Sequence, residues 1–383
     1  MKILFVSHEY APVGGGVGVA LSHLVHELGS LHDVVVLTSG APGLPTIEKQ
    51  QGATIHRVHT FGRRRPGGGS ILSMYSFLFA GLRGGKRILR EERFNLINTW
   101  SAVLSGLTGV RLSKKAQIPH VLTLLGEDVY DPSGRSSAHR NVFFRSVVRR
   151  AMEASHRVTA CSSDVRDRGK AIFPREISID VVPLAIAPPR YRPADRLLLG
   201  LDRDAFYCIT IGPLVLRKRL GLLLDLLVRS SDPKTKLLIV GQGPEEKSLR
   251  RHAEKIGLGK RVEFLGPLPD EKKFQYLANC DAYVSVSLHE GFGLALLEAM
   301  ACGLPVLAPV MGGQRDYLIH GKTGLVLEPD GEDLLRRINE LLDAPEKAIE
   351  MRESSRRQAE SFFAPIVAEI WAETFEQYIK EIF

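Results

Sequence analysis

Two carboxylates eight residues apart, Glu290 and Glu298, lie in the run YVSVSLHEGFGLALLEAMACGLP at 283–305. The run predicts a buried strand over 283–287, a short loop carrying Glu290, and a helix over about 293–302. Gly303 ends that helix and Pro305 keeps it from resuming. The helix start would present the N–H groups of Phe292, Gly293 and Leu294 and a positive dipole end, which together suit a phosphate. At a rise of ~1.5 Å per residue, Glu298 falls roughly 7–8 Å along the axis from Gly293, on the exposed side of the second turn. There it would meet ribose hydroxyls, while Glu290, in the turn itself, would face whatever lies beyond the phosphates. An ordinary strand–helix turn with a solvated Glu298 is the plainer alternative.

The elements around this run are those of an α/β chain. Apolar strands are expected at 2–7, 33–38, 54–58, 96–98, 120–124, 158–160 and 181–186, then at 205–211, 236–240, 261–265, 282–287, 305–308 and 325–327. Helical patterns such as 220–230, 245–256 and 271–278 fit between them, so the sheets should be parallel. The Pro-rich APPRYRP (187–193) divides the two series, and 383 residues suit two domains rather than one core. The reading is two doubly wound, Rossmann-like domains, 1–190 and 191–361, followed by an amphipathic helix over 362–383 anchored by Trp371 and Tyr378. In such sheets ligands bind beyond the carboxyl ends of the strands. Glu290, the Gly14–Gly16 loop, Asp128, Gly212–Lys218 and Gly241–Gly243 all follow strands, and the expectation is one cleft between two facing domains.

Charge is uneven. Residues 1–192 carry 26 Lys and Arg against 14 Asp and Glu, whereas 193–383 carry 25 against 29. The first half should therefore meet something anionic: a membrane surface, a phosphorylated lipid carrier or a nucleic acid. No helix-turn-helix, finger or RNP pattern is present, which sets nucleic acid aside. Residues 61–93 place Lys and Arg beside Phe77, Leu78 and Phe79, as a membrane-surface helix would, although a buried helix fits as well. MKILFV is too short for a signal-peptide core, and no apolar run approaches the ~20 residues that span a bilayer. The scattered Cys161, Cys208, Cys280 and Cys302 have no metal spacing and read as reduced core thiols of a cytoplasmic protein.

The glycines at 14–16, ahead of a helix, would let backbone N–H groups approach an anion. They do not form a dinucleotide fingerprint: the sixth position from Gly14 is Val19 and from Gly16 is Leu21. No GxxxxGK[ST] loop occurs. Asp202-Arg203-Asp204 has the D-x-D form of a metal–nucleotide site but precedes a strand, and is read as a turn. No other cluster has metal spacing.

EGFGLALLEAMACGLPV closely resembles the E-x7-E signature of retaining glycosyltransferases of the GT-B fold, glycosyltransferase family 4 in particular. LLIVGQGPE, RVEFLGPLP and HGKTGLVLEP follow in that family's order, and PVGGG resembles its loop under the donor diphosphate. Two positions depart. In IGPLVLRKRL, Gly212, Leu214 and Lys218 match the diphosphate clamp, but Pro213 stands for its arginine; Arg217 or Arg219 would have to supply that cation, unless the RKR run is merely solvated. In VLTLLGEDVY, Thr123, Gly126 and Asp128 match, but Leu125 stands for the histidine that faces the sugar. Glu127, Asp128 and His8 are the remaining polar candidates, Asp128 for acceptor alignment or for a helix N-cap.

The resemblance implies a nucleotide-sugar donor in the second domain. Glu298 would take the ribose, and the amides of Gly291, Phe292, Gly293 and Leu294 with Lys218, Arg217, Gly212 and Gly241 the diphosphate. Glu290 would face the sugar, and Val262, Leu265 and Gly266 the base. Gly15 and Gly16 of the first domain would reach the phosphates, and the last helix would cross back onto that domain. The implied reaction is retaining transfer of a hexose-type sugar to a hydroxyl of a glycan, lipid carrier or small molecule, without a metal cofactor, in the cytoplasm or at the inner face of the membrane. A nucleotide-sugar 2-epimerase and a non-catalytic sugar-nucleotide or partner-binding protein are the rival readings.

Overall fold

The computed structural model describes residues 1–63, 71–103, 105–133, 137–172, 177–230 and 232–383. It resolves into two compact units, Met1–Ala187 joined by Phe362–Phe383, and Pro188–Ser361. The division thus falls a few residues ahead of 190, inside the Pro-rich connector.

In the first unit the order is β1 (Lys2–Val6), α1 (Gly16–Leu28), β2 (Asp33–Ser39), β3 (Ile47–Gln50), β4 (Ala53–Val58), α2 (Ile71–Glu91), β5 (Leu96–Trp100), α3 (Ser105–Ala116), β6 (His120–Leu124), α4 (Val142–Glu153), β7 (Arg157–Ala160), α5 (Ser163–Ile172) and β8 (Ile179–Val181). The sheet runs β3-β4-β2-β1-β5-β6-β7-β8, parallel except where β3 pairs antiparallel with β4. The central strands β1, β5 and β6 bury nearly every residue, as a sheet covered on both faces must. The short β3 reads IEKQ, half-exposed and too polar to be recognised from its sequence. The last strand of the unit lies at Ile179–Val181 rather than 181–186, because Pro183 cannot donate to a ladder.

The second unit contains β9 (Phe206–Ile211), α6 (Leu220–Val228), β10 (Thr235–Val240), α7 (Glu246–Lys255), β11 (Val262–Gly266), α8 (Asp270–Asn279), β12 (Ala282–Val284), α9 (Leu294–Ala301), β13 (Val306–Pro309), β14 (Gly324–Leu327), α10 (Leu334–Asp343) and α11 (Pro345–Glu360). Its all-parallel sheet runs β11-β10-β9-β12-β13-β14. The strand expected over 282–287 stops at Val284, where Ser285 Oγ takes the Ser287 N–H and bonds its hydroxyl, drawing the backbone out of the ladder.

The final helix, α12 (Ala364–Ile382), belongs to the first unit, packing on α1. Trp371 Nε1 donates to the Pro183 carbonyl at 3.0 Å and Tyr378 Oη to Asp180 at 2.5 Å. Trp371 and Phe375 are fully buried beside Trp100 and Phe5. Phe77 of α2 lies in the core with Leu4, Val6 and Ile97, so it is no surface anchor, whereas Phe79 is exposed. The basic glycine run 64–70 lies outside the described residues. The four cysteines are buried and unbridged, and among the described residues no helix is long and apolar enough to cross a membrane.

Candidate functional site

At the carboxyl ends of β9 and β12 the second unit gathers charge into a buried place. After β9 the chain turns at Gly212, whose φ of +151° favours glycine, and a single 3-10 turn over Leu216–Lys218 follows. Lys218 Nζ reaches Glu290 Oε1 at 2.5 Å, and Arg217 Nη1 lies 3.6 Å from Oε2 while donating to the His289 carbonyl at 2.8 Å. Each side chain of this trio is about nine-tenths buried. The RKR run is therefore not a solvated stretch. Of the two arginines, Arg217 joins Lys218 at the Glu290 carboxylate, whereas Arg219 (φ +48°) bonds the carbonyls of Val286 and Pro329.

Burial opposes charge on Glu290. The Lys218 and Arg217 charges, with hydrogen bonds from Lys218 and Ser287, outweigh it and hold the carboxyl below its usual range. Close approach fixes the backbone here. A Cβ on Gly241 would meet the Gly212 carbonyl, and one on Gly312 the Glu290 carbonyl, to which Gly313 N–H donates at 2.8 Å. Gly291 and the buried Phe292 lead into α9, which begins behind Gly293 in the left-handed region (φ +89°). Tyr317 Oη, fully buried, lies 2.8 and 3.0 Å from the carbonyls of Phe292 and Gly293 and pins that entry. Leu294 opens the helix, half-buried.

Glu298 departs from expectation. It is not on an exposed turn: α8 packs against α9, and Lys273 Nζ sits 2.8 Å from Glu298 Oε1 and 3.0 Å from Asp270 Oδ1. Burial raises the Glu298 carboxyl, and Lys273 offsets this only in part; Lys273 itself is raised, its two acid partners outweighing burial. Val262 and Leu265 are half-buried on β11, the edge strand, and the Gly266 carbonyl accepts the Gly241 N–H at 2.9 Å.

In the first unit Gly15 caps α1 and Gly16 begins it. The Gly15 N–H donates to Glu9 Oε2 at 3.3 Å. His8 Nδ1 lies 3.3 Å from Ser105 Oγ and its Nε2 3.9 Å from Glu9. Asp128 sits in the turn after β6, not at a helix N-cap. It accepts from Ser101 Oγ at 2.7 Å, from Leu125 N–H at 3.2 Å and from Ala102 N–H, tying the loops after β5 and β6. Burial raises it despite those bonds and nearby His8. Leu125 is half-buried and Glu127 exposed.

Lys273, Tyr317, Gly312 and Glu9 were not singled out from the sequence. Lys273 shares its run with the exposed Lys272, and nothing local separates the two. Among the described residues no group of three or more His, Cys, Asp or Glu is placed to hold a metal ion.

Two family models match the chain back to back: Glycosyltransferase Family 4 over residues 14–189, and Glycosyl transferases group 1 over 193–358. The chain belongs to glycosyltransferase family 4. An uncharacterized glycosyltransferase of Methanocaldococcus jannaschii is 26% identical over 364 residues, covering 94% of each chain. A GDP-mannose-dependent alpha-(1-6)-phosphatidylinositol monomannoside mannosyltransferase of Mycolicibacterium smegmatis is 27% identical over 375 residues, 93% of each. Sucrose-phosphate synthase from Thermosynechococcus elongatus superposes with a TM-score of 0.88 at 22% identity, covering 99% of each chain, and shares the fold. This family 4 member is thus a glycosyltransferase with the GT-B plan of two parallel-sheet α/β units, and the Glu290–Lys218–Arg217 cluster lies where its group 1 segment turns from strand to helix.

Proposed function

We propose that this glycosyltransferase moves a hexose-type sugar, with retention at the anomeric carbon, from a nucleoside diphosphate to a hydroxyl of a glycan, a lipid carrier or a small molecule. One observation carries the reading. Glu290, Lys218 and Arg217 converge in a buried cluster directly ahead of α9. Paired cations beside a helix start suit a diphosphate, which gains negative charge as the glycosidic bond breaks. In this reading the diphosphate takes Lys218 and Arg217, and Glu290, released from them, meets the sugar. Glu298 receives the ribose hydroxyls and β11 the base. The GDP-mannose named for the mycobacterial relative supports a nucleotide-sugar donor.

The acceptor oxygen bonds to the anomeric carbon as the bond to the β-phosphate oxygen breaks, and its proton passes to that departing oxygen. Asp128, committed to three protein hydrogen bonds, serves as a positioning residue for the acceptor loops rather than as a base. The chemistry requires no resident metal, because the cations are side chains. A role in cell-envelope polysaccharide or glycolipid synthesis at the inner membrane face fits such acceptors.

A thermal-shift screen of nucleoside diphosphates and their sugar conjugates tests the donor class, since a ligand at 100 times its Kd stabilises by about 2.7 kcal/mol. One base should raise the melting temperature, and Glu298→Ala should abolish the shift. Turnover by a Glu290→Ala/Glu298→Ala double variant would refute the assignment. Donor binding without transfer across a broad acceptor panel would favour a binding protein, and free nucleotide without acceptor product an epimerase.

A further inference from the structure

Helix α2 turns a complete ridge to solvent. Leu72, Tyr75, Phe79, Arg83, Lys86 and Arg90 recur at three- and four-residue steps and so share one face for ~27 Å of helix. Leu72, Tyr75 and Phe79 are 61%, 46% and 74% exposed, while Phe77 and Ile88 hold the opposite face in the core. The ridge is apolar along its first half and cationic along its second.

Its neighbour continues the charge. α3 packs beside α2, contains no acidic residue, and ends in the exposed Lys114 and Lys115. Among the described residues no ion pair involves Arg83, Lys86, Arg90, Lys114 or Lys115, whereas second-unit arginines such as Arg250, Arg336 and Arg337 are paired within their own helices. A cavity of about 440 Å³ opens between the C-terminal ends of α2 and α3. Lys86, Arg90, Arg93 and Lys115 line it, over Phe94 and Ile118, with Glu92 on the wall held by Lys2.

We propose that this face of α2 and α3 docks on an anionic lipid bilayer, with Leu72, Tyr75 and Phe79 entering the interface and the basic cavity receiving a lipid phosphate. Both halves of the ridge need such a partner. A nucleic acid would satisfy the cations but leave three large apolar side chains in water, and an apolar protein groove would leave the cations unmatched. α2 follows β4 and runs back along the sheet, so its apolar start lies toward the carboxyl edge, where the acceptor loops after β1 and β6 also lie. An acceptor presented by the bilayer would arrive at that edge. The docking face itself does not depend on the donor assignment.

Flotation of the full chain with phosphatidylcholine vesicles, with and without phosphatidylglycerol, tests this. The protein should float with the anionic vesicles alone and be released by salt, which shortens the Debye length. Each interfacial cation is worth about a fivefold change in partitioning, so K86Q/R90Q/K115Q should partition about a hundredfold less. All three side chains are exposed, and an unchanged melting curve confirms the fold. Phe79→Trp should shift its emission to the blue with anionic vesicles, against two native tryptophans that are buried. Failure to float, equal capture by neutral vesicles, undiminished binding of the triple variant, or an unshifted Phe79→Trp emission would each overturn the proposal.

Discussion

Lys218 Nζ and Glu290 Oε1 are 2.5 Å apart across 72 residues of chain, with the guanidinium of Arg217 at the other carboxylate oxygen. The groups expected to grip the donor thus hold one another. A buried carboxylate tolerates this only because two cations compensate its lost hydration.

Removing one partner exposes that dependence. Lys218→Met should destabilise the protein by about 3 kcal/mol in urea denaturation. Glu290→Gln with Lys218→Met should cost less than the two single changes combined, the sign of a coupled pair. Glu290 has a depressed pKa, so the stability it contributes is present above the ordinary ~4.3 of glutamate and lost as pH falls through the folded value. Glu290→Gln should lack that acid-side loss and should lower turnover about a hundredfold or more at saturating donor.

Lys273 supports Glu298 in the same way, and pH reads the support. Around Glu298 stand Lys273 and Asp270 of α8, Tyr283 of β12 and Cys302 at the end of α9, with Arg356 of α11 beside Cys302. Lys273→Met leaves burial unopposed, so the Glu298 carboxyl rises further. The folded variant then holds a proton that the unfolded chain releases, and stability present at acid pH falls as pH rises through the raised value. With Glu298 at the ribose, as proposed, donor binding needs the carboxylate and runs the other way. Nucleotide affinity of Lys273→Met, measured by calorimetry, should weaken more steeply than that of the parent as pH falls, and Lys273→Arg should restore most of it.

The start of α9 depends on a backbone that only glycine enters easily. Gly293→Ala would place its Cβ within 2.4 Å of Tyr317 Oη at φ +89°. We expect about 1–3 kcal/mol lost in thermal denaturation, with weaker diphosphate binding. Tyr317→Phe frees the Phe292 and Gly293 carbonyls, and should cost about 1–3 kcal/mol. The weaker diphosphate binding should recur in Tyr317→Phe.

For Asp128, position and chemistry separate by substitution. Asparagine presents an NH₂ to donors that an aspartate accepts, so Asp128→Asn should lose about 1–3 kcal/mol of stability. If Asp128 only positions the acceptor loops, Ser101→Ala should raise the acceptor KM in the same direction while leaving donor affinity unchanged. A large fall in turnover for Asp128→Asn alone, with KM constant, would make it a base after all.

Much of this was legible in the chain. The periodic strands stand out because a sheet covered on both faces demands short apolar runs, as in β1, β5 and β10. Gly293, Gly212 and Gly241 stand out because each must adopt a backbone other residues avoid. β3 escaped notice because its polar IEKQ takes its conformation from β4 rather than from its own side chains. Phe77 and Phe79 show the same limit: two positions along a helix turn one ring into the core and the other to water.

By itself the sequence determined the fold class, the two units, the family and the placing of Glu290 and Lys218 near strand ends, all of them consequences of local pattern. The tertiary structure decided which charges meet. Arg217 rather than Arg219 joins Glu290, Lys273 rather than Lys272 reaches Glu298, and Asp128 fastens two loops. The reason is physical: a long-range ion pair is selected by burial and by the packing of elements far apart in the chain, and neither is written in the residues on either side.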